Sequence, residues 1–273
     1  MGTTTFAVTV FRGRVGDHND RAMAGSEVVG AAVAEHLGLV PVTVGVPAPA
    51  LGTGWQDELD AARADLTAMA ARYEEVLGAH HVPVTALTRC AVALATLPRV
   101  AAHRPDAVVV WFDAHADINT PDDTTTGYLG GLALSGPMGW WDTGLGGGLG
   151  SDQVILVGTR DLDPAEQRRV DDGTVALVAP GADLPDRLRA AVAGRPVYVH
   201  LDCDVLEPGT VPTDYHVPDG LTLDDLHPAV LVLAESELVG LEIAEFETAQ
   251  QPGEEAVAAA ALLQALRPLL IPV

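Results

Sequence analysis

The sequence predicts an α/β protein, a three-layer αβα sandwich on a mostly parallel central sheet, and three features of the chain lead there. Short apolar, β-branched runs alternate with longer amphipathic segments along the whole length. Most of those runs lack polar alternation, as expected of strands covered on both faces. Strict alternation of strand and helix implies right-handed crossovers, which put helices on both sides of one sheet.

The expected strands, in order, are Phe6–Phe11, Val40–Val44, Val82–Thr85, Val108–Phe112, Val154–Val157, Val175–Val178, Val197–Leu201 and Val239–Ile243. Between them the 3.6-residue apolar period predicts helices near 26–37, 56–77, 90–102, 164–171, 184–193, 223–235 and 254–268. Gln56–Leu77 shows the signals in full: acidic residues early, apolar residues three to four apart, and Gly78 as a stop. No internal repeat or break in composition marks a linker, so residues 1–273 are read as one domain.

The longest stretch without periodicity is Asn119–Asp152, with a Gly-Leu-Gly-Gly-Gly-Leu-Gly run at 144–150. A phosphate-cradling loop needs a strand before it, a helix N-terminus after it and a Lys-Ser/Thr sequel. The run lacks these, and a flexible surface loop is the expectation.

Charge narrows the partners. Lys+Arg total 15 against 38 Asp+Glu, a net charge of −23. Such a field repels nucleic acid and anionic membranes and attracts cations, although an acidic surface also serves solubility alone. The two cysteines, Cys90 and Cys203, are too few for a disulfide framework and point to a reducing cytosol. The N-terminus has no basic start followed by a long apolar core, and no uncharged apolar run reaches the roughly 18 residues that span a bilayer. A cytoplasmic protein is expected, with no nucleic-acid or membrane partner; a homo-oligomer is compatible with the sequence.

Functional residues in an open parallel sheet gather at the carboxyl ends of strands. Three strands here run into acidic residues: 108–112 into Asp113-Ala-His115-Ala-Asp117, 197–201 into Asp202-Cys-Asp204, and 240–244 into Glu245. One Asp at a strand end is an ordinary loop residue. Two short clusters of this kind repel one another unless a cation neutralises them. Four carboxylates and one imidazole make a hard, oxygen-dominated donor set that suits Mn²⁺ better than a thiolate-rich zinc site. Two such ions would activate a water for hydrolysis.

At these residues the chain resembles the arginase–agmatinase (ureohydrolase) family. The motifs are Asp-Ala-His-Ala-Asp-Ile-Asn-Thr-Pro at 113–121, Asp-Cys-Asp at 202–204, Glu-Ile-Ala-Glu at 242–245 and Val-Gly-Thr-Arg-Asp-Leu-Asp-Pro at 157–164. The match runs from about Val84 to Glu247; before it only the order of strands and helices agrees. The resemblance implies two Mn²⁺ ions bridged by Asp113 and Asp202. His115 and Asp204 would complete one site and Asp117 would belong to the other. Glu245 would pair with a substrate guanidinium through a charge-assisted hydrogen bond, and with Asp117 it is taken as catalytic. Asp163 and Glu166 match residues that contact an α-ammonium, Thr126 one that contacts an α-carboxylate, and Asn119 and Thr222 complete the expected substrate contacts.

The chain departs from the family pattern in informative places. The family supplies a first ligand from Gly-Gly-Asp-His after a strand, where this chain reads Ala86-Leu-Thr-Arg-Cys90. Cys90 stands where that His is missing, either as a thiolate ligand or as a small buried hydrophobe. Gly130 replaces a proton-shuttling His, Tyr128 stands where an Asn is common, and Glu207 replaces an Asp that is not a ligand. Cys203 alternates away from its neighbours and is expected in the core. His200, inside a strand, is expected to be a hydrogen-bonded group behind the site. His18, His36, His80, His81, His103, His216 and His227 read as surface residues, His216 in an expected active-site loop.

A substrate more reactive than arginine fits these changes, and Nω-hydroxy-L-arginine, a guanidino amino acid with an electrophilic central carbon, is the expected one. The combination resembles family members that act on that compound. Arginase itself, another ureohydrolase such as formimidoylglutamase, and a non-catalytic metal-binding relative remain the alternatives.

Overall fold

The computed structural model describes residues 4–249, 251 and 253–271. Among these residues eight strands form one sheet: β1 Phe6–Phe11, β2 Val42–Val44, β3 Val82–Ala86, β4 Val108–Phe112, β5 Val154–Val157, β6 Ala176–Val178, β7 Val197–Asp202 and β8 Leu238–Ala244. Every pairing is parallel, in the order β2-β1-β3-β8-β7-β4-β5-β6. Among the described residues seven α-helices accompany them, α1 Arg21–Leu37, α2 Trp55–Gly78, α3 Ala93–His103, α4 Pro164–Asp171, α5 Leu184–Val192, α6 Leu223–Leu233 and α7 Glu254–Leu266, with none between β4 and β5.

Alternation along each strand builds two cores. Val108, Val110 and Phe112 of β4 face α1, α5, α6 and α7, together with Val197, Val199 and Leu201 of β7. Val109 and Trp111 face the opposite way, towards Leu59 and Leu66 of α2 and Leu94 and Leu97 of α3. Val170 of α4 packs on this second side. The three layers follow from central strands that are apolar on both faces. No helix among the described residues is long and apolar enough to cross a membrane.

The chain builds outward twice from the middle of the sheet. It lays down β1 to β3 on one side, crosses to β4 and builds β5 and β6 on the other. It then returns to fill the gap with β7 and β8. The carboxyl ends of β3, β8, β7 and β4 are therefore neighbours, although they lie far apart in sequence.

The structure departs from the expectations mainly at boundaries. The run 40–44 pairs only from Val42, because Val40 is 90% exposed and packs on nothing. Helix α1 begins at Arg21, ahead of the expected 26. The expected helix 90–102 is divided, with a 3-10 turn at Cys90–Val92 before α3. Helix α7 stops at Leu266 before a 3-10 turn at Arg267–Leu270, where Pro268 has no N–H to continue the α-helical ladder. The glycine run at 144–150 is tied down rather than a free surface loop. Leu145 and Leu149 are buried, the Leu149 N–H donates to Pro137 O at 3.1 Å, and Arg63 and Arg99 donate to the carbonyls of Thr143 and Leu145.

Candidate metal centre

Four loops meet above β3, β8, β7 and β4, and those after β3, β4 and β8 are held by bonds that extend the sheet. The Asp113 N–H donates to Val157 O at 3.2 Å, continuing the β4–β5 ladder. The Leu87 N–H donates to Ile243 O, and the Glu245 N–H to Thr88 O. The 113–119 loop is pinned from the other side by Leu134 N–H on Asp117 O and Asn119 N–H on Gly131 O. Of the five non-glycine residues with positive φ among those described, two are here: Asp117 at 54° and Glu245 at 62°. A left-handed acidic residue is uncommon, and tertiary contacts must hold it there.

The candidate ligands come together. Ligand-capable atoms of Asp113, His115 and Asp204 lie within 4.8 Å of one another, and so do those of Cys90, Asp113 and Asp117 and those of Cys90, Asp202 and Glu245. His115 Nδ1 is 3.1 Å from Asp204 Oδ2 and 3.3 Å from Asp113 Oδ1. Backbone amides steady the carboxylates: Asp113 Oδ1 accepts from His115 N–H, Asp202 Oδ1 from Asp204 N–H, and Asp204 Oδ1 from Ala114 N–H. The Cys90 thiol donates to Asp202 Oδ2 at 3.0 Å.

Burial makes this cluster electrostatically unbalanced. Asp113, Asp117, Asp202 and Asp204 are all at most 6% exposed. Burial and mutual repulsion push the carboxyls of Asp113, Asp117 and Asp202 up, Asp117 and Asp202 far above the usual range. Burial opposes charge on His115, but Asp113 and Asp204 together drive the imidazole far up. Burial, then Asp202, Glu245, Asp113 and Asp117, push the Cys90 thiol well up. One imidazole cannot balance four buried carboxylates, whereas divalent cations would and would also deprotonate the thiol. The donor set therefore fits such ions, with one soft sulfur among hard oxygens.

A pocket opens beside the cluster, lined by His115, Asp117, Asn119, Thr126, Asp163 and Glu166 together with Tyr128, Gly131, Asp161 and Tyr215. Asn119 Nδ2 donates to Asp163 Oδ2 at 2.7 Å, while its buried Oδ1 has no partner. Thr126 is exposed at the pocket. Glu166 is committed internally: Oε1 accepts from Ile118 N–H and Oε2 from Asp163 N–H, and burial raises its carboxyl to about 7.

One expectation needs correction. Thr222 is away from the pocket, exposed at the N-cap of α6, where its Oγ1 accepts from Asp225 N–H at 3.1 Å. Glu245 does not offer a free carboxylate: Oε2 accepts from Arg89 Nη1 at 2.6 Å and Oε1 from Cys90 N–H at 2.9 Å. Burial still holds its carboxyl up at about 7, against the pull of Arg89. His216 is also absent from this pocket and lines another, with Val211 and Pro212. Cys203 is fully buried among Leu201 and Val205.

Sequence reasoning missed the buried charges behind the site. Arg89, 1% exposed, also donates to Asp17 Oδ1 at 2.9 Å and Glu247 Oε1 at 2.9 Å. Arg160 donates to the carbonyls of Asp204, Val205, Val217 and Pro218, tying the loop after β7 to the segment that carries Tyr215. Tyr215 stands edge-on to His115 with 5.2 Å between ring centroids. An Arg among apolar residues at a strand end was the available signal for Arg89; nothing in the sequence marked Tyr215.

Comparison with known proteins agrees with this architecture. The chain is 38% identical over 259 residues to the N(omega)-hydroxy-L-arginine amidinohydrolase of Streptomyces lavendulae, covering 95% of each chain. It is 29% identical over 197 residues to the arginase of Bacillus caldovelox, covering 66% of this chain and 62% of that one. The crystal structure of arginase from Bacillus cereus superposes with a TM-score of 0.83 at 21% identity, over 96% of this chain and 98% of that one, a likeness of fold. The sequence pattern of the arginase family matches residues 23–267, and the chain belongs to that family.

Proposed function

We propose that this arginase-family hydrolase cleaves Nω-hydroxy-L-arginine to L-ornithine and hydroxyurea, using two Mn²⁺ ions held by Cys90, Asp113, His115, Asp117, Asp202 and Asp204. The observation that carries the reading is the convergence of the Cys90 sulfur with buried carboxylates at four adjacent strand ends. The choice of substrate is supported by the full-length likeness to a relative named for that activity. When bound, the two ions supply a water acidic enough to serve as hydroxide near neutral pH.

The residues of the chain do the rest. Asn119, Thr126 and Asp163 line the pocket and receive the amino-acid end, with the unpartnered Asn119 Oδ1 as an acceptor for an ammonium. Glu166 fixes the loop at Ile118 and the backbone of Asp163. Glu245, already clamped by Arg89 and Cys90 N–H, turns its remaining lone pairs to the guanidino group. The C–N bond to the ornithine side chain breaks, and hydroxyurea keeps the central carbon.

Steady-state assays with arginine and Nω-hydroxy-L-arginine in added Mn²⁺ test this. Preferred turnover of the hydroxylated substrate is expected, and Asp113→Ala or Asp202→Ala should abolish it and strip metal. Full activity in chelator-treated, metal-free protein would sink the two-metal reading; equal or better turnover of arginine would sink the substrate.

A further inference from the structure

Behind the carboxylate cluster runs a chain of buried polar side chains that the hydrolytic chemistry does not use. His200 sits in β7 and is 0% exposed, with Trp111 of β4 and Glu242 of β8 as its register partners on either side. Its Nδ1 is 2.7 Å from Glu242 Oε1, and its Nε2 is 3.1 Å from Cys90 Sγ. Its ring stacks on the Trp111 indole, with 3.5 Å between centroids and 5° between planes. That indole N–H in turn donates to Asp113 Oδ2 at 2.9 Å. The second oxygen of Glu242 accepts from Tyr198 Oη at 2.6 Å and Thr96 Oγ1 at 2.9 Å. Tyr198 Oη lies 2.8 Å from Tyr73 Oη of α2, which lies 2.9 Å from Thr85 Oγ1.

Burying an imidazole and a carboxylate between two apolar layers is costly unless each polar atom is bonded, and an aliphatic pair would pack without that cost. Here every member has a partner, and a fully satisfied buried network is rigid. Its end at the carboxylate cluster is the Cys90 sulfur, whose thiol donates to Asp202 Oδ2 at 3.0 Å. The stack joins that end to Asp113, so two side chains facing the centre from different strands are fixed by one pair of rings.

We propose that His200 is the positioning residue of Cys90: Glu242 fixes one ring nitrogen, Trp111 fixes the ring plane, and the other nitrogen aims the sulfur at the metal cluster. This rests on Cys90 being a ligand. Groups just behind metal ligands act by orienting them, and their loss commonly weakens metal binding by roughly 10–100-fold.

Cobalt(II) substitution tests it, because a thiolate ligand gives a thiolate-to-cobalt charge-transfer absorption in the near ultraviolet that a packing residue does not. The intact protein loaded with cobalt should show that absorption. The double variant His200→Phe/Glu242→Gln keeps the ring volume, and Glu242→Gln removes the carboxylate that Phe would leave uncompensated. It should lose or shift the band and bind its weaker cobalt roughly 10–100-fold less tightly. No band in the unmodified protein overturns the ligand reading of Cys90, and this proposal with it. A band that survives unchanged in the double variant, with unchanged cobalt affinity, overturns the role of His200 alone. If the double variant does not fold, Glu242→Gln by itself decides, since it keeps the side-chain volume but replaces one accepting oxygen with an NH2 that cannot accept, which loosens the hold on the ring. A weaker, shifted band supports the proposal, and an unchanged band and affinity overturn it.

Discussion

Arg89 and Glu245 meet at 2.6 Å with their side chains 1% and 4% exposed, so the Glu245 carboxylate is held by a guanidinium belonging to the chain itself. The same guanidinium balances Asp17 and Glu247. Arg89→Met should therefore strand two buried carboxylates, Asp17 and Glu245, while Glu247 keeps Arg21 at 2.6 Å and Asn19 at 2.8 Å. Losing one partner of a buried ion pair costs about 3–5 kcal/mol, and the midpoint of denaturant unfolding should fall accordingly. Arg89→Lys should recover only part of the loss, because one ammonium cannot reproduce the planar fork that reaches three partners. An Arg89→Met protein as stable as the original would show that the network carries no net stabilisation.

The pocket and the N-cap of α6 give opposite expectations for two residues that the sequence alone groups together. Asp163→Ala removes the acceptor of Asn119 Nδ2 and a pocket wall, and should raise KM for amino-acid substrates with metal content unchanged. Agmatine, which lacks the α-carboxylate, should be the poorer substrate of the intact enzyme. Thr222→Ala should leave KM and kcat alone and cost about 1 kcal/mol of stability, the usual value of a helix cap. A raised KM in Thr222→Ala would return that residue to the substrate site.

What the sequence revealed and what it hid have separate physical causes. The strands at 108–112 and 197–201 were legible because central strands are apolar throughout, and the acidic residues that end them break that run abruptly. The convergence of Asp113–Asp117 with Asp202–Asp204 followed from the strand-end rule. Arg89 was hidden because its partners Asp17 and Glu247 are 72 and 158 residues away, and only the sheet order brings them together. The clamp of Arg89 on Glu245 was hidden for the same reason, the two lying 156 residues apart. Thr222 was misplaced because a Thr before a helix reads equally well as a cap or as a ligand contact.

Cys90 separates two chemistries at one position. Cys90→Ser should weaken one of two bound metals selectively, since a hydroxyl is a poorer anionic donor than a thiolate, and leave the ion nearest His115 and Asp204 in place. Metal analysis after dialysis reads this directly. Cys90→His should retain two metals and move relative activity towards arginine. A metal-loaded structure with the sulfur more than about 3 Å from both ions would refute the assignment, because zinc–thiolate bonds are near 2.3 Å and those of larger divalent ions only slightly longer.

Gly130 and Tyr128 share one volume, and this gives the most direct test of how the pocket wall is made. A Cβ built on Gly130 would lie 2.3 Å from Tyr128 Cε1, 2.7 Å from Cζ and 3.0 Å from Oη. The first two distances are shorter than real Cβ contacts, so the phenol ring occupies the space a side chain at 130 would need. Tyr128 is not free to swing away at no cost, because its ring packs 4.5 Å from His18 and 6.0 Å from Tyr215, both by centroid. Gly130→Ala should therefore displace the ring, disturb the pocket it lines, and lower kcat/KM while the metals stay bound. Gly130→His should be worse alone. Combined with Tyr128→Asn, which vacates the volume, Gly130→His should regain activity and respond more to arginine than the single variant does. The coupling is the reading: two substitutions in contact should be strongly non-additive. Additive losses in the two single variants and the double variant would mean that Tyr128 and Gly130 act separately, and that the absent side chain at 130 has no bearing on how Tyr128 shapes the pocket.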